Sequence, residues 1–421
     1  MELSYNLRYQ KFNFSSKLVL DKEGEVIIYG KGFRLKGKGA QDKGELINFS
    51  EVKEFYHKDE RLIFVTFTKE KYILSDMGTL FDHFLIDIFK SRNEFLMDAL
   101  FMKGGKLKAE FDGNFERYSK FAKLISKARA KLRLYESSLV IIPETMDAFA
   151  VHYNFVNFHE FEEDEYKLKI VNDDETTLYI SQLGNDYELF QEKMNELLGG
   201  LYEFIVNDVL KIAFPYFHAG VLLKLAYAMK NGKAVALKEI KKMDKELATA
   251  VEEFIFQDKQ FEEKIDVLKD MAGEENVYYG IAQDKAVKGG FIKWMMVAIP
   301  EKNAVAFSIL PRWKEGKESL VETPADLHDT YFYKIIIEHG QPAEKIYDKV
   351  REIEQALVIL NFAKDPCYKD KRELRHSPYQ YAIRKMPFLR ILRKSYVGKV
   401  SEKNVAEWQT KAKEILENTM L

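Results

Sequence analysis

The chain has 421 residues, a formal net charge of −2, 46% hydrophobic residues and 31% charged residues. This balance predicts a folded protein of about two to four domains and excludes a chain that is disordered along its length. The near-zero net charge also argues against a protein that binds nucleic acid over its whole surface.

A glycine- and lysine-rich segment is the first feature along the chain. Residues 29–44 read YGKGFRLKGKGAQDKG. If FRLKGK is extended, Arg34, Lys36 and Lys38 project from one face, because side chains alternate along a strand, and Lys31 lies nearby. These cations predict a site for phosphate or an anionic membrane surface. The alternative interpretation is a solvated hairpin that binds nothing.

The chain contains an internal repeat. Residues 46–100 align without a gap with residues 152–206, at a displacement of 106. Similarity at a fixed displacement is typical of duplicated structural units. The matched identities are Asn48 with Asn154, Phe49 with Phe155, Glu54 with Glu160, Phe55 with Phe161, Leu62 with Leu168, Val65 with Val171, Ser75 with Ser181, Gly78 with Gly184 and Phe84 with Phe190.

Each copy has the same predicted elements. RLIFVTF and YKLKIV alternate apolar residues as strands do, and EKYILS and TTLYIS predict a second strand. A glycine follows in each copy, Gly78 or Gly184, where we expect a positive φ. A helix then begins, with predicted capping boxes at Thr79 and Asp82 and at Asn185 and Glu188. Its predicted apolar faces are Phe84, Ile88 and Phe95 in one copy, and Phe190, Met194 and Leu201 in the other.

A third copy is weaker. At a displacement of 262, TYFYKIII ends at Gly340, and Gln341, Pro342 and Glu344 predict a helix start. The apolar helix face then becomes Ile346, Val350 and Leu357, although the side chains are not identical to those of the first copy. Whether this segment is a true repeat is left open by the sequence.

The order of elements resembles the pleckstrin-homology-like superfold, a bent seven-stranded barrel closed by a C-terminal helix. The resemblance covers about 20–101 and 130–206, and weakly 275–362. It implies a binding or scaffolding module more often than an enzyme, although fold alone does not fix function. The expected fold class is α+β, with two or three units of antiparallel strands, each closed by an amphipathic helix. The expected domains are 1–118 and 119–215 for the first two units, 216–272 for a helical connector, 273–364 for a tentative third unit, and 365–421 for a basic arm and a C-terminal helix.

Two connectors are predicted to be rich in helix. They are residues 114–132, NFERYSKFAKLISKARAKL, and residues 244–271, DKELATAVEEFIFQDKQFEEKIDVLKDM.

The basic arm, residues 364–399, has eleven Lys or Arg residues against three acidic residues. Basic side chains interleaved with apolar ones can bind anionic membranes, nucleic acid or acidic proteins. The alternative is that the apolar residues pack on the third unit and the cations face water. The candidate partner-binding residues are Arg384, Lys385, Phe388, Arg390, Arg393 and Lys394. Ser401 is predicted to cap a last helix with Val405, Trp408, Ala412, Ile415 and Leu416 on one face.

No catalytic, metal or cofactor motif is recognisable in the sequence, which leaves an enzyme as the third and least favoured class of function. HEFEEDE, residues 159–165, is rich in possible ligands, but we interpret it as a solvated turn because the first copy has the half-basic KEFYHKDE there. The single cysteine, Cys367, excludes an intrachain disulfide. We expect no cofactor and a cytoplasmic location, since no signal peptide or spanning segment is apparent. The expected function is a non-enzymatic adaptor or scaffold that binds unknown protein partners. The alternative is a peripheral binder of anionic lipid or a phosphorylated ligand through the Arg34 cluster and the basic arm, and nucleic acid is not expected overall.

Overall fold

The computed structural model describes residues 3–39, 43–256, 259–284, 290–310, 313–314, 329–335 and 343–419. These residues form two compact units, Met1–Asn195 and Glu196–Leu421. Gly340, Gln341 and Pro342 of the predicted third helix start lie outside the described residues.

The first unit begins with a seven-stranded antiparallel sheet followed by a long helix. The strand order across this sheet is β4-β3-β2-β1-β7-β6-β5. Its elements are β1 (Leu3–Phe12), β2 (Leu18–Tyr29), β3 (Gly32–Gly37), β4 (Glu45–Asn48), β5 (Val52–Lys58), β6 (Arg61–Thr66), β7 (Lys71–Ser75) and α1 (Phe81–Ala99).

The second copy repeats this arrangement. Its strand order, β11-β10-β9-β8-β14-β13-β12, matches that of the first sheet strand for strand. Its elements are β8 (Leu107–Tyr118), β9 (Leu124–Tyr135), β10 (Ser138–Pro143), β11 (Phe149–His152), β12 (Val156–Glu162), β13 (Lys167–Asn172), β14 (Thr177–Ser181) and α2 (Tyr187–Phe204). The predicted duplication and the α+β class are therefore confirmed. The second sheet begins at Leu107, so the boundary drawn at 118 falls after its first strand.

Alternating side chains explain why each sheet closes on its helix. Phe33 and Leu35 on β3 are fully buried, whereas Arg34 between them is partly exposed. The predicted helix face is buried as well, since Phe84 and Ile88 are fully enclosed and Phe95 packs at the edge of the same core. Apolar burial of this kind is the main term that stabilises each copy.

The ungapped alignment is correct for most of the repeat but wrong by two residues around β5. Strands β6 and β13 lie 106 residues apart, whereas β5 and β12 lie 104 apart. Loop 144–148 is two residues shorter than loop 38–44, and turn 163–166 is two residues longer than turn 59–60. The identities at Asn48, Phe49, Glu54 and Phe55 therefore do not reflect equivalent positions. Two compensating length changes leave the total unchanged, so a gap-free comparison cannot detect them.

The first predicted helical connector is wrong. Residues 114–132 lie in β8 and β9, which pair along most of their length. Phe111, Gly113 and Phe115 are buried at every second position of β8, which is the period of a strand. The lysines and alanines of this segment favour a helix locally, but pairing within the sheet outweighs that propensity.

Each closing helix begins with a short 3-10 turn rather than a capping box. Gly78 and Gly184 start these turns with φ values of +57° and +58°, which confirms the predicted positive φ. The residue before α1 is Leu80, and no side chain caps the helix there. The second turn, Gly184–Asp186, likewise has no side-chain cap. The predicted caps at Thr79 and Asn185 are therefore wrong, because the glycine turn starts the helix in their place.

The second unit begins at Glu196, inside α2, and further helices follow. They are a π-helical stretch (Ile205–Leu210), α3 (Lys211–Ala213), α4 (Ala219–Met229), α5 (Leu237–Met243), α6 (Lys245–Ile255) and α7 (Lys259–Ala272). The second predicted helical connector, residues 244–271, is thus confirmed within its described part. Asp244 caps α6, since its Oδ1 accepts a hydrogen bond of 2.9 Å from the backbone N–H of Leu247.

A third sheet follows, but it does not repeat the topology of the first two. Its order is β15-β16-β17-β18-β20-β21, with β19 paired to β17, so most consecutive strands are neighbours. The strands are β15 (Val235–Ala236), β16 (Val277–Gln283), β17 (Gly290–Ile299), β18 (Ala304–Ile309), β19 (Trp313–Lys314), β20 (Thr330–Lys334) and β21 (Tyr396–Val400). Because β15 and β21 lie outside residues 273–364, that range does not contain the whole sheet.

Five helices complete the described part of this unit. They are α8 (Ala343–Ile359), α9 (Asp365–Tyr368), α10 (Ala382–Lys385), α11 (Pro387–Ser395) and α12 (Val405–Asn418). The predicted apolar face of α8 is correct, since Ile346, Val350 and Leu357 are all buried. Helix α12 is capped by Asn404 rather than by Ser401, through a hydrogen bond from the backbone N–H of Glu407.

Candidate binding surfaces

The predicted cationic face of β3 exists, but neighbouring carboxylates accompany it. Arg34 and Lys36 project outward from β3, and Lys38 follows on the same side, while Lys31 is exposed in the preceding turn. Lys38 Nζ lies 2.7 Å from a carboxylate oxygen of Glu23, and Lys36 Nζ lies 3.5 Å from one of Glu25. Lys36 and Lys38 therefore belong to charge pairs and are not isolated cations.

A further ion pair joins the neighbouring strands β1 and β2. The guanidinium of Arg8 on β1 donates hydrogen bonds of 2.7 and 2.8 Å to the carboxylate of Asp21. These contacts lower the pKa of Asp21 to about 2, and Lys38 lowers the pKa of Glu23. An anion at this face would compete with carboxylates already in place. The register of the β2–β3 hairpin pairs Glu25 with Lys36. The alternation of side chains along one strand does not predict this relation, because it carries no information about the neighbouring strand.

Residues 29–44 of the first copy differ in sequence from their counterpart in the second copy, IIPETMDAF, residues 141–149, and the structure explains this difference. Strand β3 of the first copy has a full counterpart in β10, so the two copies diverge mainly in the loop that follows. In the second copy that loop receives helix α1. The amide of Asn93 donates to the carbonyls of Pro143 and Met146 at 3.1 and 3.0 Å, and its oxygen accepts from the backbone N–H of Ala148 at 2.8 Å.

Arg92 strengthens the same junction. Its side chain is fully buried and forms two hydrogen bonds to Asp147, at 2.6 and 2.9 Å. Its guanidinium also lies 4.6 Å from the ring centre of Phe55, a favourable contact for a desolvated cation. The two copies are therefore joined by polar contacts from successive residues of α1, and the repeat in the sequence does not predict these contacts.

The basic arm is largely packed. Leu389 and Leu392 are buried on the inner side of α11, and Phe388 is half-buried. Arg393 donates hydrogen bonds of 2.8 and 2.6 Å to the backbone carbonyls of Pro366 and Lys369 at the end of α9. Such bonds satisfy carbonyls that a helix end leaves unpaired. Arg393 therefore has a structural role, whatever else the arm does.

The outer side of the arm is exposed. Arg390, Ile391 and Lys394 all face solvent on α11, while Arg384 and Lys385 on α10 are half-buried. The structure thus combines both interpretations of the arm, since its apolar side packs and part of its basic side remains accessible.

Strand β12 carries a further surface that the sequence analysis did not propose. It lies at the outer end of the second sheet, and Phe158 on it is 47% exposed. Tyr166, 66% exposed in the following turn, and Phe161 both contact the ring of Tyr187, with ring centres 5.3 and 6.2 Å apart. Exposed acids flank these rings at Glu160, Glu163, Asp164 and Glu165.

The acidic turn and the cysteine singled out in the sequence can also be placed. Within the part of the chain that the structure describes, no three His, Cys, Asp or Glu side chains are gathered as metal ligands. Cys367 is buried, and burial raises the pKa of its thiol to about 12. A thiol in that state is a poor nucleophile.

Comparison with known proteins gives no family assignment: no protein-family model matches the chain, and no curated protein matches it significantly. Among the described residues, no helix is both long enough and apolar enough to cross a membrane.

Proposed function

We propose that the chain is a non-enzymatic adaptor or scaffold whose two repeated modules are pleckstrin-homology-like and bind protein partners. Two features support the fold part of this proposal. Each module has seven antiparallel strands in the same order, and each ends in a long helix whose apolar face is buried. The junction at Arg92 and Asn93 holds the modules together, which suits a protein that presents surfaces rather than one that encloses a substrate.

The observation that carries the proposal is the outer strand β12 with its exposed aromatic side chains. An extended segment can add to the outer strand of a sheet through main-chain hydrogen bonds, while side chains on the strand give specificity. Phe158 and Tyr166 offer apolar contacts, and the acids around them favour a basic partner. The partner class is therefore an extended basic segment of another protein.

Selection of displayed peptides on the immobilised full chain tests this proposal. We expect enrichment of lysine- and arginine-rich peptides, and loss of their binding in Phe158→Ser. Tyr56→Ser is the matched control, because Tyr56 is exposed on β5, the equivalent outer strand of the first copy. Peptides that bind the Phe158→Ser variant as well as the parent would contradict the proposal.

A peripheral binder of anionic ligands is the second candidate, favoured by the exposed Arg390, Ile391 and Lys394 on the basic arm. If this surface acts, charge reversal at Arg390 and Lys394 should abolish salt-sensitive binding to anionic vesicles. A variant with serine at 34, 36 and 38 tests the Arg34 cluster in the same assay. If both variants bind anionic vesicles as well as the parent does, neither surface is responsible for the binding.

A further inference from the structure

The β1–β2 and β8–β9 hairpins both end in tips with exposed apolar side chains. The first tip, residues 13–19, carries Phe14, Leu18 and Val19, which are 74%, 47% and 59% exposed. The second tip, residues 119–125, carries Phe121, Leu124 and Ile125, which are 82%, 41% and 52% exposed. Leu18 and Val19 correspond to Leu124 and Ile125 at the repeat displacement of 106. The phenylalanines are not equivalent, since Phe14 aligns with Lys120 and Phe121 with Ser15, but each tip has one exposed ring beside the matched aliphatic pair. Single exposed apolar residues are ordinary, whereas a matched aliphatic pair with an exposed ring nearby in both copies is a feature of the repeat.

The two tips have the same backbone construction. In the first tip, the backbone N–H groups of Ser16 and Lys17 bond to the carbonyl of Asn13 and to its side chain at 2.9 and 3.0 Å. In the second tip, Ala122 and Lys123 bond to the carbonyl and hydroxyl of Ser119 at 2.9 and 3.3 Å.

A left-handed residue completes each turn. Ser16 has a φ of +60° and Ala122 a φ of +55°. The backbone that carries the apolar side chains is therefore already ordered. Little backbone conformational entropy is lost when these side chains bind another surface.

Charge distinguishes the second tip. Residues 117–127 contain four Lys or Arg residues and no Asp or Glu, whereas Lys131 and Arg133 further along β9 both pair with Glu110. Lys120 and Lys123 in this tip are exposed, and the ammonium of Lys120 lies 5.3 Å from the ring centre of Phe121. At the first tip Lys17 is exposed, but Lys11 is bound by Glu45 and Glu70 at 2.8 and 3.0 Å.

We propose that the two tips insert their apolar side chains into the interface of an anionic lipid bilayer, and that the second tip contributes most of the binding. A bilayer accepts small convex apolar groups that carry cations around them, and aromatic rings favour its interfacial region. Anionic headgroups attract the lysines, which explains why the more basic tip dominates. Attraction of this kind depends on surface charge, so binding follows the fraction of anionic lipid and not one headgroup. This inference uses residues outside the proposed peptide-binding strand, and the two can fail separately.

Vesicle flotation of the full chain tests the proposal. We expect binding to phosphatidylcholine vesicles with about 30 mol% phosphatidylserine or phosphatidylglycerol, and little binding to phosphatidylcholine alone. Replacing Phe121, Leu124 and Ile125 by serine should weaken binding at least about tenfold, and the same change at Phe14, Leu18 and Val19 should weaken it less. The Arg34, Lys36 and Lys38 serine variant should bind like the parent.

A second measurement reports insertion directly. Phe121→Cys, labelled with a polarity-sensitive fluorophore, should shift to the blue on anionic vesicles, because Cys367 is buried and remains unlabelled. Circular dichroism checks that the serine variants stay folded. Undiminished vesicle binding by a variant with both tips changed would overturn the proposal. An emission spectrum of the label that does not shift when the protein is bound to vesicles would also overturn it. Binding to vesicles with only one of the two anionic headgroups would do the same.

Discussion

The guanidinium of Arg92 faces the carboxylate of Asp147 through two hydrogen bonds, of 2.6 and 2.9 Å, between the closing helix of the first module and a loop of the second. Arg92 is fully buried and Asp147 is 35% exposed. Removing one partner of a buried pair leaves the other charge poorly solvated, which costs more than the pair itself contributes. The junction is therefore a point where the tandem arrangement can be tested.

Arg92→Ala should lower the free energy of unfolding of the first unit by about 2–4 kcal/mol. Arg92→Lys should restore little, because an ammonium cannot reproduce the paired geometry. Far-UV circular dichroism in a urea titration is the measurement, since the three tryptophans, Trp294, Trp313 and Trp408, all lie in the second unit. Arg8→Ala is the control, because its similar pair with Asp21 is exposed and should leave the midpoint nearly unchanged.

Gly184→Val should destabilise the first unit by at least about 1 kcal/mol, because a β-branched residue is strained at a φ of +58°. A Cβ at this position would meet no atom within 4 Å, so the cost comes from the backbone alone. Gly184→Asn should therefore cost clearly less, since asparagine tolerates this conformation. Equal melting temperatures for the valine and asparagine variants would contradict this explanation.

Asp244→Ala should cost about 1 kcal/mol, because it removes the hydrogen bond that caps α6. Asn185→Ala should cost nearly nothing, since no side chain caps the 3-10 turn that precedes α2. Thermal unfolding followed by tryptophan fluorescence reports the first substitution, and circular dichroism reports the second. A loss of stability in Asn185→Ala as large as that in Asp244→Ala would restore the capping box predicted from the sequence.

Lys293 gives the second unit a distinctive pH dependence. Its ammonium is buried on β17 and donates a hydrogen bond of 2.8 Å to the carbonyl of Phe254. Burial lowers its pKa from 10.5 to about 8. Between these two values the unfolded chain binds a proton that the folded chain does not, so this group makes stability rise with pH through that window. Below about pH 8 both states are protonated, and the folded state bears the whole penalty of the buried charge.

Lys293→Met should therefore be more stable than the parent at pH 7, by roughly 1–3 kcal/mol. The advantage should shrink from about pH 8 upward and vanish above the unfolded pKa. Tyrosines titrate in the same range, so the quantity to measure is the difference between the two proteins, from urea unfolding monitored by tryptophan fluorescence. A difference that stays constant from pH 7 to pH 11 would contradict the lowered pKa.

The sequence by itself determined the repeat, the α+β class and the faces that are buried. Residues such as Phe84 and Ile88 follow the helical period, and Leu62 and Phe64 follow the strand period, so local spacing fixed which side chains enter the core. The positive φ of Gly78 and Gly184 was predicted as well, because a duplicated glycine between a strand and a helix indicates a turn that other residues adopt with strain.

Only the tertiary structure decided how these elements meet. The partners of Arg92 and Lys38 lie 55 and 15 residues away, and no local period specifies which distant carboxylate a cation will reach. The same reason explains why residues 114–132 form strands, since their pairing within the second sheet outweighs a local preference for helix. In the third sheet β20 pairs with β21, which follows α11 in the chain. Pairing between strands so far apart in sequence depends on how the intervening helices pack.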